Sequence, residues 1–277
     1  MERDLLSSLE MKKAGPLPCR LCGGETVFAF RKLLLGRHSV SFLHCAQCGS
    51  LQSEEPHWLA EAYSADTDAL DTGAAQRVLH CVALTHCVMR LLGCRTALDF
   101  GGGSGLLCRL LRDAGHDAYW YDQYSPPGYA TGFVGSPREN YDLITSFEVV
   151  EHFPNPSRDF GALFAGRPKA VLLMTELYSG QGEDWPYLAP EEGQHIFFYS
   201  REAFALIART CGYHLLLCRG FILLLREPPT AVQSWFLQKI LRHRIVRWIK
   251  LMLLAGSGAG AQSDYEILRA RVSGRPG

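Results

Sequence analysis

The sequence lacks an excess of charge of either sign. Its 277 residues contain 28 Lys and Arg against 28 Asp and Glu. Because no overall field attracts the protein to nucleic acid, any contact with a polyanion must be local. We therefore do not expect nucleic acid as a partner.

Long apolar runs are also missing. No run of about 18 uncharged apolar residues predicts a membrane span. The opening stretch, MERDLLSSLEMKKAGPLP, lacks the apolar core and small-residue cleavage site of a secretory signal, so we expect a cytoplasmic protein. With 47% apolar residues, the chain is long enough for one sizeable α/β domain and a small appendage.

Cysteine, in contrast, is abundant, with ten residues. Four of them form two C-x-x-C pairs, Cys19 with Cys22 and Cys45 with Cys48, a pattern typical of a four-thiolate zinc site. The segments between the pairs carry β-branched and aromatic residues suited to short antiparallel strands. The alternative is two disulfides, which a cytosolic chain disfavours. We predict structural Zn²⁺ in a zinc-ribbon domain over residues 1–53.

The rest of the chain divides by its hydrophobic pattern. Residues 54–92 are interpreted as a polar linker followed by a helix that begins near Gln76. Over residues 93–228, strand and helix patterns alternate, which is typical of a parallel sheet with helices on both faces. The last two apolar runs, YHLLLCRG and FILLLRE, are separated by a turn. They predict an antiparallel edge of an α/β fold.

A glycine-rich turn follows the first strand of this alternation, in LDFGGGSG. Gly101, Gly103 and Gly105 would let the backbone approach a ligand and would direct a helix N-terminus towards it. Asp99 precedes the glycines, where an acid would repel the phosphates of a dinucleotide but would suit an ammonium group. Asp122, at the end of the next strand, can accept hydrogen bonds from both hydroxyls of a ribose.

These motifs resemble those of class I S-adenosylmethionine-dependent methyltransferases. The likeness covers about residues 97–212, through LDFGGGSG, YWYDQY, YDLITSFEVVEHFPNP and GQHIFFYSREAFALIARTCGY. It implies a Rossmann-like domain with a mostly parallel seven-stranded sheet and an antiparallel edge. It also implies methyl transfer from S-adenosylmethionine. The cofactor-binding residues that it implies are Asp99, Gly101, Gly103, Gly105, Asp122 and Phe147.

The four-cysteine segment ahead of this domain resembles that of the sugar C-methyltransferase and Methyltransferase-23-like group. Those enzymes place a His-bearing loop after the fifth strand, to which EEGQHIFFYS corresponds. The resemblance makes His195 the candidate base. The stretch GQGEDWPYLAPEEGQH is rich in Gly and Pro, which is typical of an active-site lid. In this lid, Trp185 and Tyr187 could either stack on an acceptor or pack against the core.

The stretch FEVVEHF carries further titratable groups, of which Glu148 is the second predicted catalytic residue. Glu148, Glu151 and His152 can gather on one side of a single turn. With His195, the set resembles the site where small-RNA 2′-O-methyltransferases and ubiquinone-pathway O-methyltransferases bind a divalent ion, and Mg²⁺ or Mn²⁺ would suit it. Alternatively, the acids only shape the cofactor pocket and His195 is a plain base. We favour this metal-free interpretation.

Residues 229–277 are interpreted as a basic amphipathic helix and a flexible tail. The stretch from Trp235 to Lys250 contains no acid, and its apolar residues recur at helical spacing. We expect this helix, at about 231–255, to pack on the sheet or on a second copy of the chain. Docking on an anionic membrane surface is the alternative. The basic residues are Lys239, Arg242, Arg244, Arg247 and Lys250.

Together these features predict a methyltransferase that acts on a hydroxyl of a sugar, glycan or other small metabolite, with a carbon as the second choice. Two competing interpretations remain. One is a metal-dependent 2′-O-methyltransferase of an RNA-like acceptor. The other is a non-catalytic zinc-ribbon scaffold that retains the cofactor fold, against which the intact glycine loop and His195 argue.

Overall fold

The structure, a computed structural model, describes residues 17–64, 72–242, 246, 248–249 and 259–272. The strands are β1 (Thr26–Leu34), β2 (His38–Cys45), β3 (Leu51–Ser53), β4 (Thr96–Phe100), β5 (Asp117–Tyr121), β6 (Leu143–Phe147), β7 (Ala170–Met174), β8 (Phe197–Phe198), β9 (His214–Cys218) and β10 (Phe221–Leu225). The helices are α1 (Leu59–Ala62), α2 (Ala74–Leu92), α3 (Leu106–Asp113), α4 (Pro156–Phe164), α5 (Arg201–Cys211), α6 (Ala231–Leu241) and α7 (Ala259–Val272). Among these residues, no helix has the length and apolar content needed to cross a bilayer.

The larger sheet has the strand order β5-β4-β6-β7-β10-β9. Strands β5, β4, β6 and β7 pair in parallel, whereas β10 runs antiparallel to both of its neighbours. Apolar side chains of β4, β6, β7 and β10 pack alternately against α2, α3 and α6 on one face and against α4 and α5 on the other. The predicted α/β fold with an antiparallel edge is confirmed.

The predicted number of strands in this sheet is wrong. The sequence predicts seven strands, whereas the described residues form six. After β5, the chain makes a single parallel bridge between Trp120 and Val134 where a further strand was expected. The intervening stretch QYSPPGYATGFVG is rich in Pro and Gly. These residues favour a loop, since Pro cannot donate to a strand ladder and Gly weakens one.

The smaller sheet is antiparallel, with the order β1-β2-β3-β8. Strands β1 and β2 form a long hairpin, and β3 pairs with β2 on its other side. The fourth strand, β8, follows His195 in the sequence, and Leu51 of β3 pairs with Phe198 of β8. The predicted zinc-ribbon segment therefore does not complete its own sheet, because its last strand belongs to the segment that contains the candidate base.

The helices begin and end at the signals that the sequence carries. Helix α2, predicted from Gln76, begins at Ala74 and ends at Leu92, and the left-handed Gly93 (φ +63°) caps it. The Asn155 side chain accepts a hydrogen bond from the backbone of Arg158 at the start of α4. Ser200 caps α5 in the same way.

The segment after the sheet is only partly as expected. Helix α6 begins with a capping box formed by Thr230 and Gln233, and it packs on α2. The sequence predicts that this helix continues to about residue 255. Of its basic residues, Arg244, Arg247 and Lys250 lie outside the described residues.

The prediction of a flexible tail is wrong for residues 259–272, which form α7. The buried Asp264 of α7 accepts hydrogen bonds from Arg109 Nη2 at 2.7 Å and from Arg112 Nη2 at 2.8 Å. Both arginines belong to α3, so the helix is fixed by charge-assisted hydrogen bonds to a distant element. The local composition of the tail carries no sign of such a partner.

Candidate active site

Two adjoining cavities open where the parallel strands end. The larger, of about 600 Å³, is lined by residues that include Phe100, Asp122 and Gln194. The smaller, of about 380 Å³, is lined by residues that include Asp99 and the glycine loop. Glu148 lines both cavities. This edge is where open α/β sheets bind their ligands.

The glycine loop leaves no room for a side chain at Gly101, Gly102 or Gly105. Gly101 has φ +73° and its N–H donates to the Tyr121 carbonyl. A Cβ at Gly101 would lie 2.5 Å from a methyl of Val149, and one at Gly102 would lie 2.6 Å from Asp99 Oδ2. The bare backbone therefore lines the smaller cavity, and Gly105 directly precedes α3 as predicted.

Asp99 is buried at the end of β4 and lines the smaller cavity. Its Oδ1 accepts a hydrogen bond from Thr145 at 3.2 Å, whereas its Oδ2 has no partner. Burial raises the pKa of Asp99 to about 7. A buried carboxylate oxygen without a partner is costly unless a ligand satisfies it. The site thus fits the ammonium group that the sequence predicts, and Phe147 lines the same cavity.

Asp122 lies at the larger cavity, but its carboxylate already has backbone partners. Oδ2 accepts from Gly103 N at 2.9 Å, and Oδ1 accepts from Tyr124 N at 2.7 Å and Ser125 N at 2.9 Å. The carboxylate therefore ties the glycine loop to the loop after β5. One lone pair remains, on Oδ2, so the carboxylate can accept from one ribose hydroxyl and not from both as the sequence predicted.

A second group of side chains lies beside these cavities. One ligand atom each of Glu151, His152 and His195 lies within 4.8 Å of the others, an arrangement that could hold a metal ion. Glu151 and His152 belong to the short 3-10 helix Val150–His152, and His195 directly precedes the segment that forms β8. Glu151 Oε2 and His152 Nε2 are buried without a hydrogen-bond partner. We refer to these three residues as the Glu-His cluster.

Tyr187 of the lid connects the Glu-His cluster to Glu148. Its hydroxyl donates to Glu148 Oε2 at 2.8 Å and also contacts Glu151. Its carbonyl oxygen accepts from His195 Nδ1 at 2.6 Å. Because Nδ1 carries the proton in that bond, Nε2 of the neutral ring keeps a free lone pair. The sequence predicts stacking or packing for Tyr187, and residue spacing alone does not indicate these hydrogen bonds.

The electrostatics follow from burial. Desolvation and the neighbouring Glu151 carboxyl raise the pKa of Glu148 to about 8, and desolvation also raises the pKa of Glu151. Burial lowers the pKa of both His152 and His195. Glu148 also has a left-handed backbone (φ +54°), which is uncommon outside glycine and concentrates at functional sites.

The four predicted zinc ligands come together in the structure, and we name them the four-cysteine cluster. Cys19 Sγ and Cys48 Sγ are 3.6 Å apart, Cys22 Sγ and Cys45 Sγ are 3.5 Å apart, and all four sulfurs lie within 4.8 Å of one another. None of them is in a disulfide. Tetrahedral zinc with Zn–S bonds of about 2.3 Å needs sulfurs about 3.8 Å apart. The four-cysteine cluster is compatible with zinc, whose binding stays a prediction.

The four-cysteine cluster and the Glu-His cluster are linked through one residue, Ile196. Arg20 lies between two cysteines, and its Nη2 donates to the Ile196 carbonyl at 2.6 Å. The same carbonyl accepts from Ser53 N at 2.9 Å, while Ile196 N donates to the Glu151 carbonyl at 3.0 Å. The residue that follows His195 is therefore held from both sides, a contact that the sequence did not reveal.

The parallel sheet and its glycine loop with flanking acids define a Rossmann-like class I methyltransferase domain. A family model described as a methyltransferase domain matches residues 73–217, more than half of the chain. The chain belongs to this methyltransferase family and is an S-adenosylmethionine-dependent methyltransferase. No curated protein matches the chain in sequence.

Several solved structures are similar in fold. Magnesium protoporphyrin IX methyltransferase from Synechocystis PCC 6803 is 14% identical, with 62% of this chain and 98% of that chain covered and a TM-score of 0.45. The Burkholderia thailandensis 1,6-didemethyltoxoflavin-N1-methyltransferase is 13% identical, with 71% and 97% covered and a TM-score of 0.46. The methyltransferase domain of a bacterial Hen1 is 21% identical, with 53% and 97% covered and a TM-score of 0.39.

Proposed function

We propose that the chain is an O-methyltransferase that holds a divalent cation, Mg²⁺ or Mn²⁺, on Glu151, His152 and His195, with Glu148 beside them. The acceptor is a hydroxyl of a sugar, glycan or other small metabolite. The observation that carries the proposal is the Glu-His cluster, whose ligand atoms converge within 4.8 Å of one another and of which His152 lines the larger cavity.

The donor set fits such an ion. Glu151 Oε2 and His152 Nε2 are buried without partners, so each forgoes a hydrogen bond that a cation would replace. The hydrogen bond from His195 Nδ1 to the Tyr187 carbonyl orients the ring, as such bonds do for metal-binding histidines. Carboxylate oxygen suits Mg²⁺ and Mn²⁺, whereas imidazole suits transition-metal ions, so this mixed set fits Mn²⁺ better than Mg²⁺. These points favour the metal-assisted interpretation over the metal-free one.

The residues of the two cavities would hold different parts of the reactants. Asp99 and the glycine loop would hold the methionine part of the cofactor, and Asp122 would hold its ribose. Bound cofactor supplies the electrophilic methyl group, and a bound divalent cation lowers the pKa of the acceptor hydroxyl. Tyr187 orients the Glu-His cluster, and the lid to which it belongs excludes water. The chain thus aligns the acceptor with the methyl group and stabilises the developing alkoxide.

The larger cavity favours a small acceptor. The rings of Tyr63 and Tyr124 lie 4.4 Å apart in a stacked arrangement, and both line it. The lining includes Arg158, which is paired with Asp159 at 2.9 Å. A polyanionic acceptor such as RNA would therefore gain little charge attraction there.

The experiment measures Mn²⁺ binding to the purified, zinc-loaded chain by electron paramagnetic resonance. We expect one Mn²⁺ site in the native chain and its loss in His152→Ala. The control is His214→Ala, which removes an exposed imidazole far along the chain in β9. Methyl transfer to a panel of hydroxyl compounds should then rise with added Mg²⁺ or Mn²⁺. Equal Mn²⁺ binding by both variants would contradict the proposal.

A further inference from the structure

We propose that this methyltransferase docks on an anionic phospholipid membrane through a surface on α6 and the turn between β9 and β10. We name this surface the basic aromatic face. The inference goes beyond the proposed function, because it assigns a docking partner and does not depend on the metal. The residues of the face are Val232, Trp235, Phe236, Lys239, Arg242 and Arg219.

The outward side of α6 is apolar although nothing among the described residues covers it. Val232 is 64% exposed, Trp235 is 56% exposed and Phe236 is 40% exposed. The inward side is apolar as well, since Leu237 and Ile240 are buried. Packing on the sheet explains the inward residues only. Exposed Trp and Phe on a short helix are typical of segments that lie in a membrane interface.

Three cations adjoin these aromatic side chains. Arg219, Lys239 and Arg242 line one hollow of about 700 Å³, together with Leu217 and Cys218. No carboxylate of the described residues forms an ion pair with these three cations, while Lys239 Nζ lies 5.3 Å from the Trp235 ring centre. The stretch from Trp235 to Lys250 contains no acidic residue. The face therefore complements the phosphate groups of anionic lipids.

Two other occupants fit the face less well. An interface between two copies of the chain places the same patch against itself, so the unpaired cations would meet each other. Nucleic acid would neutralise the cations, but it would leave the apolar side chains of Val232 and Phe236 in contact with water. A bilayer interface accepts both kinds of side chain at once.

The basic end of this face, where Arg219 lies near the C-terminal end of α6, is at the same edge of the sheet as the cofactor cavities. The carbonyl of Gly220, in the turn, accepts a hydrogen bond from Thr175 N at 3.1 Å, and Thr175 Oγ1 lies 3.1 Å from the Tyr187 hydroxyl. Phe221 pairs with Met174, which lines the smaller cavity. Docking would therefore bring the membrane close to the edge where the methyl group is transferred.

The experiment is co-sedimentation of the full chain with vesicles. One set contains phosphatidylcholine alone and the other contains phosphatidylcholine with about one third phosphatidylglycerol. We expect binding to the anionic vesicles that weakens with added salt. The triple variant R219Q/K239Q/R242Q should bind them on the order of 100-fold more weakly, at about five-fold per cation removed. The double variant Trp235→Ser with Phe236→Ser should also lose binding.

The matched control removes three exposed arginines elsewhere, in R95Q/R201Q/R209Q, and should bind like the native chain. Thermal melting and binding of S-adenosylhomocysteine, measured on every variant, establish that each remains folded, and the Mn²⁺ measurement tests the proposed function separately. Equal binding of both triple variants, or no preference for anionic vesicles, would overturn the proposal. Dimer formation that depends on Trp235 without vesicle binding would overturn it in favour of a second copy.

Discussion

The four-cysteine cluster and the Glu-His cluster are built from the chain in different ways. The cysteines occupy two tight turns of a small antiparallel sheet, and each turn contributes two sulfurs. The Glu-His cluster combines a 3-10 helix that follows β6 with a histidine at the end of the lid. The first cluster offers soft sulfur ligands and the second offers oxygen and nitrogen, so the two are expected to select different metals.

The two clusters are nevertheless mechanically connected. The stretch from His195 to Ser200 begins at the Glu-His cluster, contributes β8 to the ribbon sheet, and ends where Ser200 Oγ donates to the Cys48 carbonyl. We expect a sheet that is shared in this way to transmit the loss of one cluster to the other. The ribbon sheet therefore shares its last strand with the segment that carries His195 and is not an independent appendage.

The largest expected effect follows from breaking the four-cysteine cluster. We expect the double variant Cys45→Ser with Cys48→Ser to lose its zinc and unfold the ribbon sheet, because structural zinc contributes about 10–16 kcal/mol of apparent binding free energy. Elemental analysis and thermal melting measure this effect. The variant Cys87→Ser, which removes a buried thiol in α2, is the control. Absence of zinc from freshly purified native protein would contradict the prediction.

The Glu-His cluster is tested by His195→Ala. We expect turnover to fall by about 10²–10⁴-fold while affinity for the cofactor stays nearly unchanged, because the residue acts on the acceptor side. A mild chelator that leaves the four thiolates metallated should abolish turnover of the native chain, and Mg²⁺ or Mn²⁺ should restore it. If turnover of the native chain is unaffected by the chelator, His195 acts as a general base without a metal ion. Full activity of His195→Ala would exclude both roles.

The connection between the clusters is tested by Arg20→Leu. Arg20 is a positioning residue in this interpretation, since it contacts the carbonyl that follows His195. We expect zinc content to stay unchanged and Mn²⁺ affinity to fall about 10-fold, a loss typical of outer partners of metal ligands. Arg20→Lys should recover part of that affinity. Arg31→Gln, in β1 of the same sheet, serves as the control, and equal Mn²⁺ affinity in all four proteins would refute the connection.

The smallest effect concerns the cofactor carboxylate Asp99, which belongs to neither cluster. Because burial raises its pKa to about 7, the carboxyl of the ligand-free protein is charged above that pH and neutral below it. Affinity for S-adenosylhomocysteine should therefore fall as the pH decreases below about 7, by up to about tenfold per pH unit. Calorimetry measures this dependence. In Asp99→Asn the affinity should be weak and independent of pH over this range.

The sequence predicted most of the catalytic sheet because its strands are short apolar runs bounded by clear turn signals. TALDF is the whole of β4, and FILLLRE contains β10. The cofactor edge was predictable for a related reason, since Asp99 and the glycines lie next to each other along the chain. The predicted number of strands is wrong because Pro and Gly interrupt the segment after β5, which forms a single bridge instead of a strand.

By itself, the sequence determined most of the elements and the local sites whose residues are neighbours along the chain, which are the glycine loop and each C-x-x-C turn. Backbone propensity and side-chain periodicity act over a few residues, so such features are already present in the local pattern. Only the tertiary structure decided that β8 completes the ribbon sheet, that Tyr187 joins Glu148 to the Glu-His cluster, and that Asp264 fixes α7. Each depends on hydrogen bonds between segments far apart in sequence, which form only when the packed core brings those segments together.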